Sequence, residues 1–235
     1  MRCVIMQPNY IPWSGYFNLI WNSDVFVFLD HVQYTKNEWI NRNRIKTKDG
    51  WVYLTIPIQT SGKLYQSIAQ AEIDNKIDWR GKHWRSLLMN YAKAPYFKEI
   101  SALCEDVYSQ EWKSIGELNI YFIKKILDFL NIKKKILISS EMDFTGHKTD
   151  LVIDICKKVQ ADEYLSPARA SVYIEEEKFK QNNIKLIYQT YSDNHPVYPQ
   201  LGGNFISHLS ILDLLFNCGQ ESLNYINQYE KQPNQ

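Results

Sequence analysis

Apolar residues in this chain fall into short runs that alternate with segments of helical period. Cys3 to Met6 is an apolar run that stops at Pro8-Asn9, and a second run, Val25 to Leu29, ends on Asp30. Between them, after an irregular turn from Gln7 to Trp13 and the pair Ser14-Gly15, Tyr16 to Trp21 carries apolar residues at helical spacing. The order predicted is strand, loop, helix, strand, loop. Asp30 to Asp49 is polar and basic, and Asp49-Gly50 is a turn signal. Trp51 to Ile58, rich in β-branched and aromatic residues, predicts a buried strand, and Gln66 to Ile73 predicts one more. Trp79 to Tyr91 has helical spacing, with Trp84, Leu87, Leu88 and Tyr91 on one face, and Pro95 ends it. Two more helices are predicted over Phe97 to Tyr108 and Ile115 to Leu130.

The second half of the chain returns to alternation. Ile136 to Ser139 is a short strand, and Leu151 to Val159 is a helix capped by Thr149-Asp150. Glu163 to Leu165 is a strand, Glu175 to Gln181 a charged helical turn, and Ile184 to Tyr191 a strand of clear β character. Ser210 to Phe216 is an apolar helix stopped by Asn217-Cys218-Gly219, Glu221 to Tyr229 is a last helix, and Lys231 to Gln235 is expected to fray. Strands that alternate with helices predict an α/β, Rossmann-like fold: a mostly parallel sheet with helices on both faces. The helices at about 74–131 interrupt the alternation and are expected to form a helical lobe inserted in one domain spanning 1–235.

Composition narrows the function. The net charge of +1 argues against a polyanion binder that works by bulk charge, so nucleic acid is not an expected partner. No run is long enough to span a bilayer and no leader is visible, so a cytoplasmic protein is expected. The 4 cysteines show neither CxxC spacing nor a cluster with histidine, so no metal site is expected and the thiols are expected buried and reduced. Aromatic residues make up 14% of the chain, which suits either a ligand cleft or an aromatic core.

Candidate chemistry gathers in the loops after predicted strands, where open parallel sheets place their ligands. The first loop offers Gln7, Asn9, Tyr10 and Ser14, with Gly15 where backbone N–H groups at a helix start could meet an anion; the alternative is a tight turn that needs glycine for its shape. The second offers Asp30, His31, Gln33, Lys36, Asn41, Arg42, Asn43 and Arg44; its cations could hold phosphates and Asp30 could orient His31, or the segment could be a solvated basic loop. A third group, Trp79, Lys82, His83 and Arg85, lies on one helix, with His83 either a base or a satisfied structural histidine. The fourth is Tyr198, Gln200, Asn204, Ser207, His208, Ser210 and Asp213. Asp213, inside an apolar helix, needs a partner, for which Arg42 or Arg44 is a candidate.

The pieces MQPNYIPWSGYFNLI, DVFVFLDHVQYTKNEWINRNRIK, ADEYLSP and LSILDLLFNCG resemble the WbqC-like family of bacterial proteins, in the same order over nearly the whole chain. The resemblance implies work on an activated sugar for O-antigen or another surface polysaccharide. Pro12 to Ile20 is also similar to the first-loop signature of nucleotidylyltransferase-like α/β proteins, but Trp13 and Tyr16 stand where two histidines would be. That loss argues against ordinary nucleotidyl transfer. The leading expectation is a transferase that moves an acyl or aminoacyl group to the amine of a nucleotide-linked aminosugar. Its base would be His31 or His83, with Asp30 beside it. Asn9, Asn43 or a loop N–H would face the oxyanion, and Lys36, Arg42 and Arg44 the diphosphate. No cofactor would be tightly bound; the donor would be a thioester, on coenzyme A or an acyl carrier protein, or an adenylate. The alternatives are an adenylate-forming or nucleotidyl-transfer enzyme on the same scaffold, and a non-catalytic pathway partner.

Overall fold

The computed structural model describes residues 1–63 and 65–227. β1 (Arg2–Met6) lies at the centre of a five-stranded sheet, between β2 (Val25–Phe28) and β6 (Glu163–Ser166). β5 (Lys135–Ile138) extends the sheet beyond β2, and β7 (Lys185–Tyr188) extends it beyond β6. All four pairings are parallel, with Cys3 opposite Val25 and Met6 opposite Phe28. The fold is therefore α/β and Rossmann-like, as the alternation predicts.

The period-2 pattern of these strands sorts the core into two halves. Val4, Phe26 and Phe28 face one side, where they meet Phe17 and Ile20 of α1 (Ser14–Trp21). Cys3, Ile5, Val25 and Val27 face the other, against Leu151, Ile155 and Cys156 of α5 (Thr149–Lys158) and Phe179 of α6 (Glu176–Gln181). Strands buried on both faces explain why β1 and β2 are continuous apolar runs and not alternating ones. α2 (Trp79–Tyr91), α3 (Phe97–Tyr108) and α4 (Ile115–Phe129) follow one another without an intervening strand, and Leu87, Ile100, Phe122 and Ile126 join the α1 side of the core. α7 (Ile211–Cys218) and α8 (Ser222–Ile226) pack on that side too. The helix expected to reach Tyr229 and the tail from Lys231 to Gln235 run outside the described residues.

Three expectations are corrected. Arg42–Thr47 is not loop but strand β3, paired antiparallel with β4 (Gly50–Thr55) in a hairpin of its own outside the main sheet. The buried strand expected from Trp51 is therefore half of a ribbon with Trp51 and Val52 exposed. Second, Gln66 to Ile73 forms only isolated bridges, among them Gln33 with Ser67 and Ile58 with Ile73. Third, Thr149 is the first residue of α5 and does not cap it; the position before it, Lys148, takes a left-handed φ of 52° and makes no capping bond. The Thr149 hydroxyl accepts from the Glu175 N–H instead.

Candidate functional site

The chain winds to opposite faces of the sheet on the two sides of β1: α1 leads to β2 on one face, α5 to β6 on the other. Such a reversal opens a crevice outside the carboxyl ends of the two central strands, which is where open α/β sheets bind ligands. A cleft of about 310 Å³ sits there. Met6, Gln7 and Asn9 line it from the end of β1, Tyr164 and Pro167 from β6, and Lys148 and Thr149 from the start of α5. Ten of its fourteen lining residues are apolar or aromatic, so its interior suits an uncharged group.

The loop after β1 is held from behind. The Tyr16 hydroxyl donates to the Gln7 carbonyl at 3.0 Å, and the Asn119 amide donates to Pro8 and Ile40 carbonyls at 2.8 Å each. The Asn43 amide donates to the carbonyls of Tyr10 and Ile11, beside the left-handed φ of 36° at Ile11. With the backbone fixed, the side-chain amides of Gln7 and Asn9, half-buried in the cleft wall, have no hydrogen-bond partner among the described residues. Unspent amides in a preformed cleft are ready to bind a ligand.

Asp30 and His31 leave the end of β2 between two cleft residues, Leu29 and Val32. The Asp30 carboxylate is buried and accepts from the Ser139 hydroxyl (3.0 Å), the Ser140 N–H (2.8 Å) and the Ser140 hydroxyl (2.7 Å), all at the end of β5. Ser139 Oγ also accepts from the Asp30 N–H at 3.0 Å and lies 2.6 Å from His31 Nδ1. A hydroxyl has one proton, and here Asp30 takes it. His31 Nδ1 must then carry its own proton and donate to Ser139. That assignment leaves Nε2 unprotonated and, among the described residues, without a partner. Partial burial lowers the His31 pKa below its ordinary value despite the pull of Asp30, so the ring is neutral at pH 7. The group is a half-satisfied histidine with a lone pair to offer.

The WbqC-like family model matches residues 7–225. The chain belongs to the WbqC-like protein family. It is also 38% identical over 226 residues to the uncharacterized protein Rv1507c of Mycobacterium tuberculosis, covering 96% of this chain and 97% of that one. No solved structure matches. Membership of the WbqC-like family points to a role in polysaccharide biosynthesis, and no helix among the described residues is long and apolar enough to cross a membrane.

The other residues singled out in this WbqC-like chain do not converge on the cleft. His83 is 4% exposed, its Nε2–H donates to the Thr55 carbonyl at 3.1 Å, and its Nδ1 accepts from the Tyr10 hydroxyl at 2.9 Å. Tyr10 accepts in turn from Tyr108 at 2.8 Å, so both residues are spent inside the core. Burial holds His83 down at about 4. Gly15 is explained by shape: a Cβ there would stand 2.2 Å from the Trp13 indole. Lys36 is exposed, Arg42 lies 4.5 Å over the Tyr53 ring, and Arg44 turns to the His208 carbonyl, so the three cations form no common set. Asn43 is buried in support of the loop. Gln200 spends its amide on Lys46 and Ile206. Asp213 is sealed between the hydroxyls of Tyr91 (2.8 Å) and Tyr198 (2.9 Å), and the cation near it is Lys46, not Arg42 or Arg44. Burial raises the Asp213 pKa, with both tyrosines and Lys46 opposing.

Sequence reading missed Ser139, Ser140, Lys148 and Thr149. Ser139 ends a predicted strand and Ser140 follows it, so the rule that led to Asp30 could have led there as well.

Proposed function

We propose that this chain is a cytoplasmic transferase of surface-polysaccharide biosynthesis that moves an acyl or aminoacyl group from a thioester to the amine of a nucleotide-linked aminosugar. What supports this reading is the pairing of a largely apolar cleft with one neutral histidine lone pair beside it. A largely apolar interior suits an acyl group better than a triphosphate, which favours acyl over nucleotidyl transfer.

In the reaction the neutral sugar amine attacks the thioester carbonyl carbon. A C–N bond forms, the carbonyl π pair moves to oxygen, and the amine proton passes to His31 Nε2. The oxyanion collapses, the C–S bond breaks, and the thiolate leaves with the proton from His31. Asp30 acts through Ser139 to keep the Nδ1–H tautomer, and the Gln7 and Asn9 amides are the donors available to the oxyanion or the sugar hydroxyls. The donor is a second substrate carried on coenzyme A or an acyl carrier protein. The test is to incubate the protein with aminosugar nucleotides and acyl or aminoacyl thioesters and follow product mass. A gain of one acyl mass that His31→Ala abolishes is expected. Sugar-nucleotide binding with no mass gain from any donor would sink the reading.

A further inference from the structure

On the other side of β1 from α5, a second cluster crowns the same carboxyl edge. Trp13 comes from the loop after β1, Arg44 from β3, Arg169 from the turn after β6, and His195 and His208 from the long segment between β7 and α7. The Arg44 guanidinium donates to the His208 carbonyl at 3.0 Å, and the His208 N–H donates to His195 Nε2 at 3.1 Å. His195 Nδ1 donates to the Pro196 carbonyl at 2.9 Å. Both ring nitrogens of His195 are thus occupied in its neutral form. The two imidazoles lie 4.6 Å apart, and the Trp13 indole packs 4.9 Å from His208 and 5.9 Å from His195. His208 is held at a left-handed φ of 58°, a conformation that marks a built feature when a side chain adopts it.

The charges in this cluster are all of one sign. Arg44 and Arg169 both stand close enough to His208 to oppose its protonation, and burial acts in the same direction. Neither arginine forms an ion pair with a carboxylate among the described residues, and Arg44 Nε is buried with no hydrogen-bond partner. Two guanidinium groups beside one neutral imidazole, without a counter-charge, repel each other until an anion bridges them. A phosphate matches the planar fork of arginine bidentately, and a diphosphate can meet two such forks at once. The cluster adjoins the cleft, since Pro167 lines that cleft and Arg169 follows it in the same turn.

We propose that Arg44, Arg169 and His208 form a diphosphate-binding cradle beside the acyl cleft, which takes the diphosphate of the nucleotide-linked sugar. The identity of the ligand rests on the transferase reading; the cradle itself rests on the cluster. Coenzyme A carries a diphosphate too, so the source has to be separated from the chemistry.

Inorganic pyrophosphate is the probe, titrated calorimetrically into the full chain. Binding is expected, weakened at least tenfold by Arg169→Gln, an exposed position whose exchange leaves the core intact, and unchanged by His31→Ala. The His208 ring resonance should titrate at higher pH once pyrophosphate is bound, because an adjacent anion favours the imidazolium. No binding to the folded wild type, or equal binding to Arg169→Gln, overturns the cradle. Displacement by a panel of nucleoside diphosphates supports its assignment to the sugar nucleotide; displacement by coenzyme A alone overturns that assignment. Arg169-dependent binding without acyl transfer keeps the cradle and defeats the transferase reading. Acyl transfer whose KM for the sugar nucleotide ignores Arg169→Gln does the reverse.

Discussion

His83 and His31 each bond a hydroxyl through Nδ1, and the likeness ends there. His83 is sealed, and a relay from Tyr108 through Tyr10 and the ring to the Thr55 carbonyl leaves neither nitrogen free. His31 is half open, tied through Ser139 to Asp30 on one side and bare on the other. Burial that satisfies every polar atom makes a histidine part of the scaffold. Burial that satisfies one nitrogen and leaves the other without a partner gives a lone pair in a fixed tautomer, which is what the proposed base requires.

This contrast can be broken most sharply at His31. Replacing it with alanine should cut the proposed acyl transfer by about 10²–10⁴-fold while leaving the unfolding midpoint nearly unchanged. His83→Ala should do the opposite. It empties a core site and strands Tyr10 and Thr55, so urea unfolding should report a loss of about 2–4 kcal/mol, with kcat per folded molecule retained. Equal stability losses at the two sites would erase the distinction. Removing the tether alone, by Ser139→Ala, should lower kcat about tenfold with little change in KM.

The smallest effects come from pH. Burial places the His31 pKa below its ordinary value, so the acid limb of kcat/KM should inflect below about pH 6.5 and vanish in His31→Gln. For His83 the folded value of about 4 lies below that of an unfolded histidine. The unfolded chain takes up a proton that the native state refuses. Stability from this site is therefore complete above pH 6.5 and drains as pH falls toward 4, by up to about 3 kcal/mol. The stability gap between wild type and His83→Gln should narrow between pH 7 and pH 4.5; a constant gap would mean that His83 is not sealed.

Much of the scaffold was legible because its signals are local. The apolar runs of β1 and β2 and the periodic faces of α2, α3 and α4 follow from burial on two faces or on one. β3 was not legible: its residues alternate Arg42, Arg44 and Lys46 with Asn43 and Ile45, and the charged positions looked like a solvated loop. In the fold Arg42 and Arg44 lie on aromatic rings of the hairpin, over Tyr53 and Trp51. The strand-end rule found Asp30, His31, Gln7 and Asn9. It could not tell His31 from His83, because the partners that decide between them, Ser139 and Tyr10, lie 108 and 73 residues away in the chain. Arg169 and His195 carried no local mark, and only the winding of the chain brings them beside Arg44.

The place of β1 has a consequence for how the molecule is made. β1 precedes every other strand of this sheet in the chain and yet is its middle strand, and Arg2 meets its partner Glu163 across 161 residues. At ~5–20 residues per second, β1 waits roughly 7–27 s with one edge bare after β2 has covered the other. The wait makes synthesis the vulnerable stage, since an unpaired strand edge invites association with other nascent chains. A chain cut short of Glu163 keeps that edge open for good and has its cleft without a second wall.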